Sequence, residues 1–317
     1  MVLNPKTKAG ILSAFTSAFF LGLAPVFGKL AINSGISPLA TVALRTGLAA
    51  GFLLLVVVIF YRNYLYIFPI GLIGCMIAGS TNGIGSILYY LALERLDASL
   101  GQLLYSLYPF FVAVWLILYH QPPSRLTFFR IGLATLSVLL LTRNPEQPPD
   151  PMGILLMLGA AVLYALHLPI NQRVLHEVPA PTVALYTLLS MSLVVWPAFL
   201  IFDRNLPENG TSWLPIHALA FVTLSSRVAL FLGIKKIGGM QTSLLGLAEL
   251  LITIVFSHLW LGESLTLPQW IGAFSLGLSL TLVMYENPLP NPPSGRTGWL
   301  SWIRSPDLPR EVFGPYE

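Results

Sequence analysis

Ten stretches of this chain are apolar for about 17–25 residues each, the length needed to cross a hydrocarbon layer of ~30 Å. They fall near residues 9–31, 38–60, 67–92, 99–119, 125–142, 152–173, 181–202, 213–234, 240–260 and 267–285. No other feature constrains the fold as strongly. Lipid offers no partner to backbone N–H and C=O groups, and a continuous helix satisfies them internally. Only 9% of the 317 residues are charged and 55% are hydrophobic, against roughly 25% charged in soluble domains. The links between runs are short and rich in turn formers, among them "NSGISP", "HQPPS", "EVPAP" and "KKIGGM". The expected fold is an all-α integral membrane protein with ten transmembrane helices.

Loop charge orients it. With the N-terminus cytoplasmic, that side collects eleven basic residues: Lys6, Lys8, Arg62, Arg125, Arg130, Arg173, Lys235, Lys236, Arg296, Arg304 and Arg310. The opposite side holds four, Lys29, Arg95, Arg143 and Arg204. The positive-inside rule therefore predicts that both termini are cytoplasmic, in a multi-pass protein of the plasma (inner) membrane. The first run continues apolar past the core of a signal peptide, so it reads as a first helix that also directs insertion. From Glu286 onward the chain is proline-rich and is expected to be a disordered cytoplasmic tail; Trp299, Trp302 and Arg304 there are suited to a membrane interface. "NGT" at Asn209 matches a glycosylation acceptor.

No P-loop, dinucleotide fingerprint or zinc-protease motif is present, and Cys75 is the only cysteine. No cofactor, metal or nucleic-acid partner is expected, and no enzymatic activity. The expected partners are a small-molecule substrate and the bilayer, with proton coupling a candidate; the sequence does not specify an oligomeric state.

An internal repeat organises the ten runs. "TVALR" at 41–45 returns as "TVALY" at 182–186, an offset of 141. "GIL" at 10–12 returns at 153–155, and Pro25 with Lys29 is echoed by Pro169 with Arg173. "ASLGQLL" at 98–104 aligns with "QTSLLGL" at 241–247, and "RIGLATLSVLLL" with "WIGAFSLGLSLTL". Two copies of a five-helix unit follow, spanning 1–144 and 145–285, with the tail at 286–317. Because five is odd, the second copy enters from the opposite side. Inverted repeats of this kind build many secondary transporters, with substrate held between the halves near the midplane. Interrupted helices at matching places mark such sites, and Pro25 and Pro169 are the expected pair and the candidate hinge; a plain packing kink is the other reading. Small residues on one stripe, Ala43 with Gly47 and Gly51, and Gly79 with Gly83, are expected at helix contacts.

"LRTGLAAGFLLL", "YYLALERLDASLGQLLYSLYPFFVAVW" and "LLGLAELLITIVFSHLWLGESLTLPQWIGAFSLGLSL" resemble EamA-type members of the drug/metabolite transporter superfamily, over roughly residues 10–285. The resemblance implies a ten-helix transporter of small metabolites, often an exporter of amino acids or similar compounds. The first half departs from the pattern: "YHQPPS" replaces the glycine–glutamate turn, and Tyr108 stands where Glu249 stands in the second half.

Charges within the membrane core cost at least about 2.5–3.5 kcal/mol each and need partners or water. Three are present, Arg45, Arg227 and Glu249, and their repeat-mates Tyr186, Ser86 and Tyr108 are neutral. Arg227 and Glu249 each lie eleven residues from Gly238, hence at one depth, ~16 Å from the turn. They are expected to pair, either fastening two helices or with Glu249 acting as a proton switch or as ligand to a substrate amine. Arg45, left unmatched, suits a carboxylate or phosphate; alternatively it bonds freed carbonyls or snorkels. Polar residues at helical spacing complete the candidate binding set: Asn82, Ser86 and Tyr89; Gln102 and Tyr105; Tyr164, His167 and Asn171; Tyr186; and Thr253, one turn past Glu249. Each has a second reading as a helix-to-helix bond. Glu249 and His167 are the candidates for proton coupling. The reading is a secondary-active transporter working by alternating access on an anionic or zwitterionic solute, in the export direction. A non-transporting scaffold or receptor and an intramembrane enzyme are the alternatives.

Overall fold

The computed structural model describes residues 5–118, 124–141, 150–204, 212–262 and 266–282. The tail, Arg143 and Asn209 lie outside them. The described residues form twelve α-helices and no strand: α1 (Pro5–Asn33), α2 (Pro38–Phe60), α3 (Pro69–Arg95), α4 (Ala98–Tyr105), α5 (Tyr108–Leu118), α6 (Arg125–Leu141), α7 (Pro151–Leu175), α8 (Ala180–Phe202), α9 (Leu214–Ile237), α10 (Gly239–Gly246), α11 (Ala248–Leu261) and α12 (Leu267–Thr281). Every expected apolar run carries helix. Among the described residues seven spans are long and apolar enough to cross a membrane: α1 from Thr7, α2, α3, α7, α8, α9, and α10 with α11 taken together. The protein is an integral multi-pass membrane protein.

Local chemistry sets the helix starts. Prolines occupy the first turn of α2, α3, α7, α8 and α9, where a missing N–H costs nothing. The Ser37 hydroxyl accepts from the Ala40 N–H at the start of α2, and the Asp150 carboxylate accepts from the Met152 N–H at the start of α7. Between α9 and α10 the chain turns at Gly238, with φ of 85°, a conformation open to glycine and strained for other residues.

The breaks differ from expectation. Both α1 and α7 run through Pro25 and Pro169 without interruption. The interruptions lie in the fourth and ninth runs instead, at Ser106–Leu107 between α4 and α5 and at Leu247 between α10 and α11. Each proline removes a single helical bond and leaves the flanking turns to carry the helix.

The halves do not form separate lobes. The most extensive helix contacts join α1 to α9, α3 to α7 and α8, α6 to α12, and α1 to α11, every one crossing between the repeats. Gly79 illustrates how close these crossings come: a Cβ there would stand 2.5 Å from the Thr187 carbonyl oxygen on α8. Gly83 continues this contact toward Met191 and Val194, and Gly47 fits under Trp196. Gly51, expected on the same stripe as Gly47, has no neighbour within 4 Å of such a Cβ.

At one end of the bundle Lys29 donates to the carbonyls of Leu93 and Leu96, both at 2.8 Å, closing the C-terminus of α3. Beside it Arg95 pairs with Asp150 at 3.0 Å. The Arg95 hydrogen bond holds the Asp150 carboxyl below its usual range, with the Met152 N–H adding to it. A lowered folded value means that this contribution is complete above the ordinary carboxylate range and is lost as pH falls through the lowered one. Since the pair faces water, Asp150→Asn should leave the melting temperature near pH 7 almost unchanged and flatten its dependence only at strongly acidic pH. A large loss at pH 7 in a melting experiment would assign this link a structural weight that its exposure denies it.

Candidate functional site

Arg45 is set by the register that Ser37 starts: two turns into α2, with 6% of its surface exposed. Its Nη1 donates to Thr223 Oγ1 on α9 at 3.0 Å and its Nη2 to Ser86 Oγ on α3 at 3.2 Å. The guanidinium lies over the Tyr90 ring, 4.8 Å from its centroid, a cation–π contact strengthened by the dry surroundings. Its Nε has no partner. One arginine thus ties α2 to a helix of each repeat and keeps one donor in reserve.

Arg227 is 4% exposed and one turn beyond Thr223 on the same face of α9. Its Nη1 lies 3.3 Å from His167 Nε2, its guanidinium 5.8 Å from the Tyr164 ring centroid, and its Nε has no partner. A guanidinium can only donate, so Nε2 of His167 accepts and the ring proton sits on Nδ1, which donates to the Tyr164 carbonyl at 2.7 Å. Both ring nitrogens are engaged. His167 supports Arg227 in this arrangement and presents no free nitrogen for the proton traffic expected of it.

Glu249 is 1% exposed and sits in the first turn of α11, just past the break at Leu247. Helix N-termini suit carboxylates because the first N–H groups lack helical partners. Its Oε1 is unpartnered. The expected pairing with Arg227 is absent: among the described residues the ion pairs are Arg95–Asp150 and Arg173–Glu177. The equal depth read from Gly238 holds, since both residues line one cavity. His167 and Tyr164 on α7 engage the arginine, and the Glu249 carboxyl lies beside Tyr108 and Gln102.

That cavity has a volume of about 50 Å³ and is lined by Leu21, Ala24, Arg45, Ser86, Tyr89, Tyr90, Gln102, Tyr105, Tyr164, Arg227 and Glu249. Its floor is a packed tyrosine cluster. The Tyr105 ring centroid stands 5.0 Å from that of Tyr89 and 5.2 Å from that of Tyr164, and Tyr108 meets Tyr164 edge-on at 4.9 Å. Tyr89 donates to Gln102 Oε1 at 3.1 Å, and Tyr108 donates across the repeats to the Ser243 carbonyl at 3.0 Å. Pro25 removes the N–H that would bond the Leu21 carbonyl, and Leu21 lies at the cavity wall.

Eight of the expected residues therefore meet here: Arg45, Ser86, Tyr89, Gln102, Tyr105, Tyr164, Arg227 and Glu249. The other five sit outside the lining in helix contacts. Asn82 donates to Met191 Sδ, Asn171 to the His167 carbonyl, and Tyr186 to the Leu65 carbonyl. Thr253 donates to the Gly22 carbonyl, and His167 braces Arg227. Sequence reasoning missed Tyr90, Thr223, Leu21 and Ala24. A signal existed for two of them, since Tyr90 is four residues past Ser86 and Thr223 four before Arg227, each on a face already singled out.

A multi-pass helical protein with buried charged side chains turned onto a shared cavity between two repeated halves is built as a membrane transporter. The chain belongs to the EamA-like transporter family, whose model matches residues 8–143 and again 151–285. It is similar to the uncharacterized inner membrane transporter YicL of Salmonella typhimurium (strain LT2), at 24% identity over 204 residues, 63% of this chain and 68% of that protein. A solved crystal structure shares its fold with a TM-score of 0.66 at 15% identity, covering 87% of this chain and 96% of the other.

Proposed function

We propose that the chain is a secondary-active transporter that exports a small anionic or zwitterionic metabolite, such as an amino acid, across the plasma (inner) membrane by alternating access. On this reading the chain crosses ten times as two inverted five-helix repeats with both termini cytoplasmic, α4 with α5 and α10 with α11 each forming one interrupted crossing. One observation carries it: Arg45 Nε, Arg227 Nε and Glu249 Oε1 are buried and unpartnered around a single cavity. Buried polar groups are normally satisfied, and orphaned ones at a shared cavity suit a ligand. Family membership supports transport over an intramembrane enzyme or a scaffold.

The test is a thermal-shift screen of amino acids, nucleobases and sugar phosphates, followed by flux of any stabilising compound into proteoliposomes. A ligand that binds the folded chain raises its melting temperature. If no compound stabilises the protein or crosses the membrane, the transporter assignment of this cavity fails. Arg45→Gln removes the positive charge and the free Nε donor and should weaken an acidic ligand by about 10–100-fold, and the ligand's amide much less. Equal losses for both would remove Arg45 from recognition.

A further inference from the structure

Resting on the cavity as the substrate site, and narrowing its anionic or zwitterionic class to the anionic members, amino acids excluded, we propose that the substrate presents a compact oxyanion, without an ammonium group, to Arg45 and Arg227, and that it binds together with a proton on Glu249. The charges in the cavity do not balance. Two guanidiniums and one carboxyl line it, and neither arginine has a carboxylate partner among the described ion pairs. Arg45 is bonded to Thr223, one turn from Arg227 on α9, so the two side chains converge on one stretch of wall spanning about a helical pitch of ~5.4 Å. Each keeps an unpartnered Nε. A group with several acceptor oxygens meets both donors at once, whereas an ammonium finds one carboxyl and two like charges.

The space agrees. A cavity of about 50 Å³ has room for roughly four waters at ~10–15 Å³ apiece, which is the size of a carboxylate, phosphate or sulfate group. An ionised Glu249 sharing that space would repel the oxyanion. A proton on Oε1 removes the repulsion and turns the carboxyl into a donor toward the ligand. The other titratable groups facing Glu249 are Tyr89, Tyr90, Tyr105, Tyr108 and Tyr164, phenols with an ordinary pKa of about 10, and His167, whose nitrogens are engaged. From α1 the wall is only Leu21, Gly22 and Ala24. Proton and anion therefore bind cooperatively and cross together, so that export of the pair runs on the substrate's own outward gradient; an ammonium ligand and a proton would compete for the same carboxylate.

The experiment uses the full chain in nanodiscs with sodium sulfate, which stays dianionic between pH 5.5 and 8, against sodium chloride at equal ionic strength. β-Alanine serves as a zwitterionic probe. Sulfate is expected to bind about tenfold tighter at pH 5.5 than at pH 8, one pH unit of coupling being a factor of ten. It should also take up protons when it binds in weakly buffered solution at pH 7. Glu249→Gln should hold the tighter affinity at both pH values; the proton-uptake measurement needs no variant and stands if that protein does not fold. Sulfate binding without proton uptake, or tighter at pH 8, overturns the proposal. β-Alanine binding that tightens at pH 8 and is lost in Arg45→Gln, with no sulfate effect, overturns it while leaving the cavity as the substrate site. No melting shift with either probe at either pH overturns both.

Discussion

Glu249→Gln is expected to abolish the response of transport to a pH gradient while leaving a folded, monodisperse protein. The side chain is fully buried, its Oε1 has no partner, and no ion pair within the described residues depends on it. Glutamine keeps its shape and loses the exchangeable proton. Couplings between two sites are typically worth about 5–150-fold, so flux driven by an imposed gradient should fall by one to two orders of magnitude toward the passive rate. The measurement is flux into proteoliposomes with and without the gradient. An unchanged gradient response would remove Glu249 from coupling, and a collapse of folded yield would assign it to the scaffold.

Gly79→Val should produce the largest loss of stability. A Cβ at residue 79 would stand 2.5 Å from the Thr187 carbonyl and 2.6 Å from Ser190 Cβ, and neither atom belongs to a flexible side-chain end. The α3–α8 contact must open, and overpacking of this kind costs about 1–3 kcal/mol or more. For a chain of this size that corresponds to a fall in melting temperature of about 2–9 °C. Gly51→Val is the matched control, because nothing lies within 4 Å of a Cβ there; it should melt like the parent chain. Equal melting of the two variants would refute the close crossing of α3 and α8.

Both predictions concern residues that the sequence had already set apart, and the reason is the bilayer. Lipid makes every polar or charged residue costly, so Arg45, Arg227 and Glu249 stand out against ten apolar runs without any knowledge of their neighbours. The same solvent imposes a length on each run, so helix positions were legible, and prolines and glycines punctuate them. The offset between "TVALR" and "TVALY" revealed the repeat because duplicated scaffolds keep their packing residues in register.

What each charge touches was not legible. Arg227 meets His167 and Tyr164, although Glu249 stands at the same depth, because lining one cavity at one depth does not bring two side chains within ion-pair distance. Tyr90 and Thr223 hold Arg45 from α3 and α9; helical spacing puts each on a face already marked by Ser86 or Arg227, but which charge that face meets depends on how the helices pack. The helix breaks fell at Ser106–Leu107 and Leu247 and spared Pro25 and Pro169. By itself the sequence determined the number of apolar runs, the duplication and that Arg45, Arg227 and Glu249 stand well inside such runs, since these follow from chain and solvent alone. The tertiary structure decided where the helices break, which arginine meets which ring, and that all three charges face one cavity, since these depend on how helices from opposite halves interlock.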